Sequence, residues 1–280
     1  MNAIELKSLT KEYKDFKLDN INLVLPEGCI MGLIGENGAG KSTTIKLIFD
    51  AIKPSAGEVF VLGKSNKDNF RETKEDIGVV LDEAHFPEGI NIKQVNNIMK
   101  NTYKNWQEDV FFEYMKRFNL PLNKQFKEFS RGMKMKLMIG VALSHKAKLL
   151  ILDEATSGLD PIVRDEIVEL FYEFTRDENH SILISSHIVS DLEKLCDYIA
   201  FLHKGKLLFV EEKDILLEEY RMLRCSKESF EDIDKDAVVG LRESDYGVEA
   251  LVVKNKVNSA FNLEKPSIED IIVFMAKEDI

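Results

Sequence analysis

Gly35-Glu36-Asn37-Gly38-Ala39-Gly40-Lys41-Ser42 sets glycines, a lysine and a hydroxyl in the spacing G-x-x-x-x-G-K-[ST]. Glycines let the backbone fold closely around phosphate oxygens with its N–H groups pointing inward, and a helix that starts here adds partial positive charge. In such a loop Lys41 reaches the β- and γ-phosphates and Ser42 offers its hydroxyl to Mg²⁺, with Thr43 adjoining them. A second concentration of chemistry is Leu149-Leu150-Ile151-Leu152-Asp153-Glu154, an apolar run that delivers two acids. The carboxyl end of a buried strand is where open α/β sheets bind ligands. Two acids there suit phosphoryl transfer, Asp153 holding Mg²⁺ through water and Glu154 polarising the attacking water. Taken alone, the pair reads equally as a solvated strand end or the cap of a following turn.

The elements that must position these groups are visible in the apolar pattern. Strands are expected at Ile4–Thr10, Leu18–Leu25 and Cys29–Ile34, the last feeding the glycine-rich turn, with a helix over Thr44–Phe49 and a short strand at Glu58–Leu62. From about Glu88 to Leu143 the periodicity turns helical, including Ile92, Val95, Ile98 and Met99, then Val110, Phe111, Tyr114 and Met115. Strands return at Leu149–Leu152 and Ser181–Ser185, separated by a helix from Pro161 to about Thr175. Alternating strands and helices imply a parallel sheet. Tyr198–His203 and Lys206–Val210 read as a hairpin about Lys204-Gly205. Beyond Glu211 the chain is charged and weakly patterned, with a strand expected at Ala250–Val253 and a final helix from Ser267, where Asp270 completes a capping pair.

Bulk properties narrow the setting. The 280 residues, 44% hydrophobic and 31% charged, suit a soluble globular chain with one large core and an annex. No apolar run approaches the roughly 20 residues of a membrane-spanning helix, and Met1–Phe16 lacks the apolar stretch of a signal peptide, so a cytoplasmic location is expected. Cys29, Cys196 and Cys225 are too few and too scattered for a disulfide framework or a zinc site, and read as reduced packing residues. A net charge of −11 opposes general attraction to nucleic acid or to an anionic membrane, so membrane association should run through a protein partner.

Over roughly residues 1–215 the sequence resembles the nucleotide-binding subunits of ABC (ATP-binding cassette) transporters. Besides the two segments above, Phe129-Ser130-Arg131-Gly132-Met133-Lys134 resembles the family's LSGGQ signature, and Ser157-Gly158-Leu159-Asp160 matches its D-loop. His187 follows the Ser181–Ser185 strand as the switch histidine does, and Tyr13 lies where the family keeps an aromatic ring for adenine, with Phe16 close by. Each has a plain structural reading as well: Ser130 as a helix N-cap, Asp160-Pro161 as a helix start, a lone histidine as structural. The order and separation of the set carry the resemblance. Three positions depart from the pattern: Asp82 where the family usually has glutamine, Arg131 in place of the first signature glycine, and Met133 in place of its glutamine. Asp82 is expected as a further oxygen ligand for Mg²⁺, at the cost of added negative charge near the γ-phosphate.

The resemblance implies an α/β P-loop NTPase fold with a mixed-sheet core, an antiparallel β subdomain, a helical subdomain at about 84–145 and a small C-terminal region at 216–280. It also implies ATP and Mg²⁺ as bound groups, with Glu154 and His187 catalytic and Tyr13 and 35–43 binding nucleotide. Ser130, Arg131, Gly132 and Met133 would complete the site of a second cassette, identical or paralogous. The implied partner is an integral membrane transport subunit, at the inner face of the membrane, with no nucleic acid. Bacterial bacitracin-resistance and peptide exporters are the nearest subgroup by motif, and a non-transport ABC ATPase acting on DNA or ribosomes, or a nucleotide-dependent regulator, is the alternative.

Overall fold

The computed structural model describes residues 1–68, 70–82, 86–258 and 261–276. Glu83 and the opening residues 84 and 85 of the expected helical insert lie outside them. The chain begins with β1 (Asn2–Glu12) and β2 (Lys17–Pro26), an antiparallel pair in which Leu18, Ile21, Leu23 and Leu25 turn one face of β2 into the core. The core strand β3 (Ile30–Ile34), buried along its whole length, leads through the glycine-rich turn into α1 (Lys41–Ile48). This helix starts at the motif lysine, three residues before the expected Thr44. β4 (Ala56–Val61) and β5 (Lys64–Ser65) complete a sheet of order β2-β1-β4-β5.

A short α2 (Phe70–Thr73) leads to β6 (Ile77–Val80). The helical stretch follows as α3 (Ile92–Thr102), α4 (Glu108–Arg117) and α5 (Arg131–Leu143). Asn91 and Gln94 form a capping box at the start of α3. The aromatics of this stretch hold its core: Phe111 and Phe118 are buried, and Trp106, Phe112 and Tyr114 pack partly buried against them. Trp106 donates its indole N–H to Asn96 Oδ1 at 2.9 Å, so the ring is fixed at both its apolar and its polar end.

The second half alternates β7 (Leu149–Asp153), α6 (Pro161–Phe174), β8 (Ser181–Ser186), α7 (Val189–Leu195), β9 (Tyr198–His203) and β10 (Lys206–Glu212). These strands join β3 and β6 in a six-stranded sheet of order β10-β9-β3-β8-β7-β6. It is parallel from β9 to β6, and β10 adds antiparallel to β9 as the hairpin partner. Helix α6 ends one residue before Thr175, and Ile167, Leu170 and Phe171 are its buried face. Cys196 is buried, and desolvation pushes its thiol well above the ordinary range, as befits an inert packing residue.

The described residues of the charged remainder form regular elements. It runs α8 (Lys213–Glu219), β11 (Tyr220–Cys225), α9 (Lys227–Phe230), β12 (Val238–Ser244), β13 (Gly247–Val253), β14 (Leu263–Glu264) and α10 (Ile268–Met275). The strands form an antiparallel sheet of order β12-β13-β11-β14. Ile268, Ile271 and Ile272 of α10 share one apolar cluster with Leu192 and Leu195 of α7 and Leu216 of α8, so this region is packed onto the rest. Ser267 and Asp270 cap α10 reciprocally, as the sequence indicates. Among the described residues no helix is long and apolar enough to cross a membrane.

Candidate functional site

Strand β3, parallel between β8 and β9, carries Gly35 out of the sheet at its carboxyl end. A Cβ on Gly35 would stand 2.4 Å from the Leu202 carbonyl oxygen, so only glycine lets the loop leave the sheet this close to β9. The β9–β10 turn braces the loop further. Gly205 N donates to Ala39 O at 3.1 Å, and His203 Nδ1 faces Glu36 Oε1 at 3.3 Å. Gly40, at φ 112, then turns the chain into α1 in a conformation that other L residues avoid.

Lys41 is the first residue of that helix, and its side chain is only 7% exposed. Its ammonium donates to Gly35 O at 2.7 Å and to Glu36 O at 3.3 Å, and stands 3.5 Å from Glu154 Oε1. A buried ammonium needs such partners because desolvation penalises an unaccompanied charge. The loop therefore holds its lysine folded back over its own carbonyls, aimed into the cleft.

Strand β7 delivers the acids. Asp153 is buried and accepts from Ser185 Oγ at 2.6 Å. The Glu154 amide lies 3.1 Å from the same Ser185 Oγ, which ties the ends of β7 and β8 together. Glu154 takes φ 53, a left-handed conformation that a non-glycine residue adopts at a strain of roughly 1–3 kcal/mol. Its Oε2 meets His187 Nδ1 at 2.6 Å, with Nδ1 assigned as donor because a carboxylate only accepts. Glu154 is thus clamped between an ammonium and an imidazole, with 14% of its side chain exposed where the cleft opens.

One cleft brings most of the expected residues together. Tyr13, Glu36, Asn37, Gly38, Gly40, Lys41, Ser42 and Thr43 line it along with Asp82, Glu154, Ser157 and His187, and Phe16 and Arg131 join them. Tyr13 and Phe16 both line the cleft, their ring centroids 6.4 Å apart, so the nearby Phe16 stands beside the expected Tyr13. Gly35, Ala39 and Asp153 are not among the lining residues. Ser130, Gly132 and Met133 of the same chain are not among the lining residues. Ser130 caps α5 by accepting from Met133 N at 3.3 Å, and Asp160 caps α6 by accepting from Val163 N at 3.1 Å. Leu159 is buried, and Gly158 packs against Arg131. The plain structural readings of Ser130 and Asp160 are therefore realised within one chain. Asp82, expected as a metal ligand, accepts from Arg131, Nη2 to Oδ1 at 2.8 Å.

Sequence reasoning passed over Ser185, His203 and the partnership of Asp82 with Arg131. Ser185-Ser186 just before His187 is a legible signal, because hydroxyls closing an apolar strand need partners. Ser42 on the cleft lining and Asp153, buried at the end of β7, carry a hydroxyl and a carboxylate, hard oxygen donors of the kind Mg²⁺ takes.

The family model described as ABC transporter matches residues 18–157. The bacitracin transport ATP-binding protein BcrA of Bacillus licheniformis is 36% identical over 214 residues, covering 73% of this chain and 68% of its own. The chain belongs to the ABC transporter family. The lantibiotic transport ATP-binding protein SrtF of Streptococcus pyogenes is 35% identical over 215 residues, covering 75% of this chain and 91% of its own. A solved ATP-binding subunit of an ABC transporter superposes with a TM-score of 0.70 at 28% identity, over 76% of this chain and 90% of that one. A dimeric cassette bound to ADP and phosphate shares the fold, with a TM-score of 0.67 at 22% identity over 75% and 98% of the two chains. The P-loop cleft is thus that of an ABC ATPase, and the chain is the ATP-binding and hydrolysing subunit of a transporter.

Proposed function

We propose that this ATPase powers export of a peptide or other small molecule through a separate integral membrane subunit, from the cytoplasmic face of the membrane. Support for export comes from the bacitracin and lantibiotic transport relatives. The observation that carries the hydrolytic reading is the placement of Glu154 between Lys41 Nζ at 3.5 Å and His187 Nδ1 at 2.6 Å, at the mouth of the phosphate-binding loop.

In this reading each residue has a role. Lys41 and the loop amides of 35–43 hold the β- and γ-phosphates, and Tyr13 with Phe16 faces the base. Glu154 takes a proton from the attacking water, and His187 orients its carboxylate. Ser42 and Asp153 would hold Mg²⁺, which would supply charge neutralisation on the phosphate oxygens. Ser185 keeps the Asp153 carboxylate in one orientation. Ser130 and Gly132, with Met133 beside them, act across an interface on the nucleotide of a second cassette, an identical chain or a paralogue. A γ-phosphate held between two subunits makes their closure depend on ATP and their opening on hydrolysis. Residues 1–215 form the motor and 216–280 an accessory region, and nucleic acid is not a partner.

Affinity purification of the tagged chain from detergent-solubilised membranes tests the transport reading. The expected result is a stoichiometric integral membrane protein whose reconstitution raises phosphate release. A chain recovered without any membrane protein, with ATPase activity indifferent to lipid vesicles, overturns it.

A further inference from the structure

Asp82 and Arg131 are 49 positions apart in sequence, yet they meet in one ion pair, Nη2 to Oδ1 at 2.8 Å, on the wall of the nucleotide cleft. They are also two of the three positions at which the sequence departs from its family pattern, a carboxylate for an amide and a guanidinium for a glycine. The coincidence has an electrostatic reading. Among the described lining residues Lys41 and Arg131 are the cations, against the carboxylates of Glu36, Asp82 and Glu154. Glu154 has Lys41 and His187 beside it and Glu36 has His203, so Arg131 is the partner Asp82 has in a cleft that must admit a polyanion. Like charge facing an incoming ligand lowers both encounter rate and affinity.

The guanidinium is aimed by its surroundings. Arg131 opens α5, whose first turn holds no acidic residue to compete for it. The side chain lies on Gly158, where a Cβ would stand 2.9 Å from Nη1 and 3.1 Å from Cζ. That glycine, at φ 66, leaves the plane of the guanidinium a flat seat from which it reaches Asp82. The two side chains are each 51% exposed. A pair so exposed adds little to fold stability, so stability does not account for it, whereas neutralising a carboxylate beside phosphate does.

We propose that Arg131 is a positioning residue that neutralises and holds Asp82 within its own chain, so that a carboxylate can border the cleft without repelling nucleoside triphosphate. This rests on the reading of the cleft as the nucleotide site.

Titration with a fluorescent ATP analogue, alongside steady-state hydrolysis, tests it on four full-length chains: the parent, Arg131→Gly, Asp82→Gln and the double variant. Arg131→Gly should weaken nucleotide affinity about 5- to 10-fold, the size expected of one uncompensated unit charge across a hydrated cleft. KM should rise by more than kcat falls. The deficit should shrink as salt rises from about 0.05 to 0.5 M, because the repulsion is screened. The double variant should regain at least half of the lost affinity, and Arg131→Lys, which keeps a point charge, should lie near the parent. Should Arg131→Gly fail to fold, Arg131→Gln carries the same comparison. Additive effects of the two single substitutions, or a salt-independent loss, overturn the proposal. Lys41→Ala separates the two levels: if it binds the analogue as the parent does, the nucleotide reading itself falls, whatever the pair shows.

Discussion

Replacing Gly35 by alanine adds a methyl group where the structure has no room. The new Cβ would lie 2.4 Å from Leu202 O and 3.0 Å from the Ala39 Cβ, against an ordinary carbon–oxygen contact above 3 Å. Leu202 belongs to β9, hydrogen-bonded on both sides, so the strand is the stiffer partner and the loop must give way. A shift of about 1 Å there breaks the 2.7 Å bond from Lys41 Nζ to Gly35 O and moves the loop amides off their aim. Overpacking of this kind costs roughly 1–3 kcal/mol. If the strain is released by displacing the loop, it appears as a loss of about 5- to 150-fold in ATP affinity. If the fold absorbs it instead, it appears as a lower unfolding midpoint. Nucleotide titration followed by thermal unfolding with and without ATP separates the two. A Gly35→Ala chain with parental affinity and parental midpoint would show that the close approach to β9 does not constrain the loop.

Three further outcomes can be checked on purified protein. Phe111 is fully buried against Trp106 and Phe112, with ring centroids 5.1 and 5.4 Å away, so Phe111→Ala should cost about 3–5 kcal/mol in denaturant unfolding, and a loss below 1 kcal/mol would contradict the packing. His145 is buried, stacked on Tyr103, with Nδ1 3.2 Å from Val141 O and Nε2 3.1 Å from Ile77 O, and a neutral ring can donate to only one of them. Burial is the largest influence on it and lowers its pKa below the usual histidine value. The unfolded chain then binds more protons below about pH 6.5, so this contribution is intact above that pH and is lost as pH falls towards the folded value. The stability advantage of the parent over His145→Gln should accordingly shrink between about pH 7.5 and 5, and a constant or widening gap would refute the assignment. His203→Ala should weaken ATP binding by only a few-fold, because it removes one of several braces on the loop, and a complete loss of binding would give the histidine a larger part than bracing.

Where local chemistry dictates the backbone, the structure follows the sequence closely. The spacing of 35–42 demands a loop entering a helix, and the apolar run before Asp153 and Glu154 demands a buried strand; both are found. Ser267 and Asp270 announce α10 for the same reason, since the cap is a local bond. The strands β11 and β12 were not legible. Arg221 and Arg224 interrupt the first, and the second buries only Gly240, so neither shows the alternation that marks a half-buried strand. Their order comes from pairing with β13, a contact made by tertiary structure. The site divides in the same way. Lys41, Glu154 and His187 were legible one by one, but the clamp they form and the bond from Arg131 to Asp82 depend on chain segments brought together by the sheet. Asp82 in particular is expected as a metal ligand because it stands where the family usually has glutamine, and its bond to Arg131 appears only once α5 is in place.

The central claim is that Glu154 performs the hydrolytic step in a site that binds ATP through the 35–42 loop. Glu154→Gln keeps the shape of the side chain and its contact with His187 while removing the base, and general-base catalysis is worth about 10²- to 10⁴-fold. Phosphate release and ATP binding measured on the same preparation should show turnover falling by that factor with affinity kept within about threefold, and a slowly dissociating dimer in ATP. Unaltered turnover in Glu154→Gln would contradict the account.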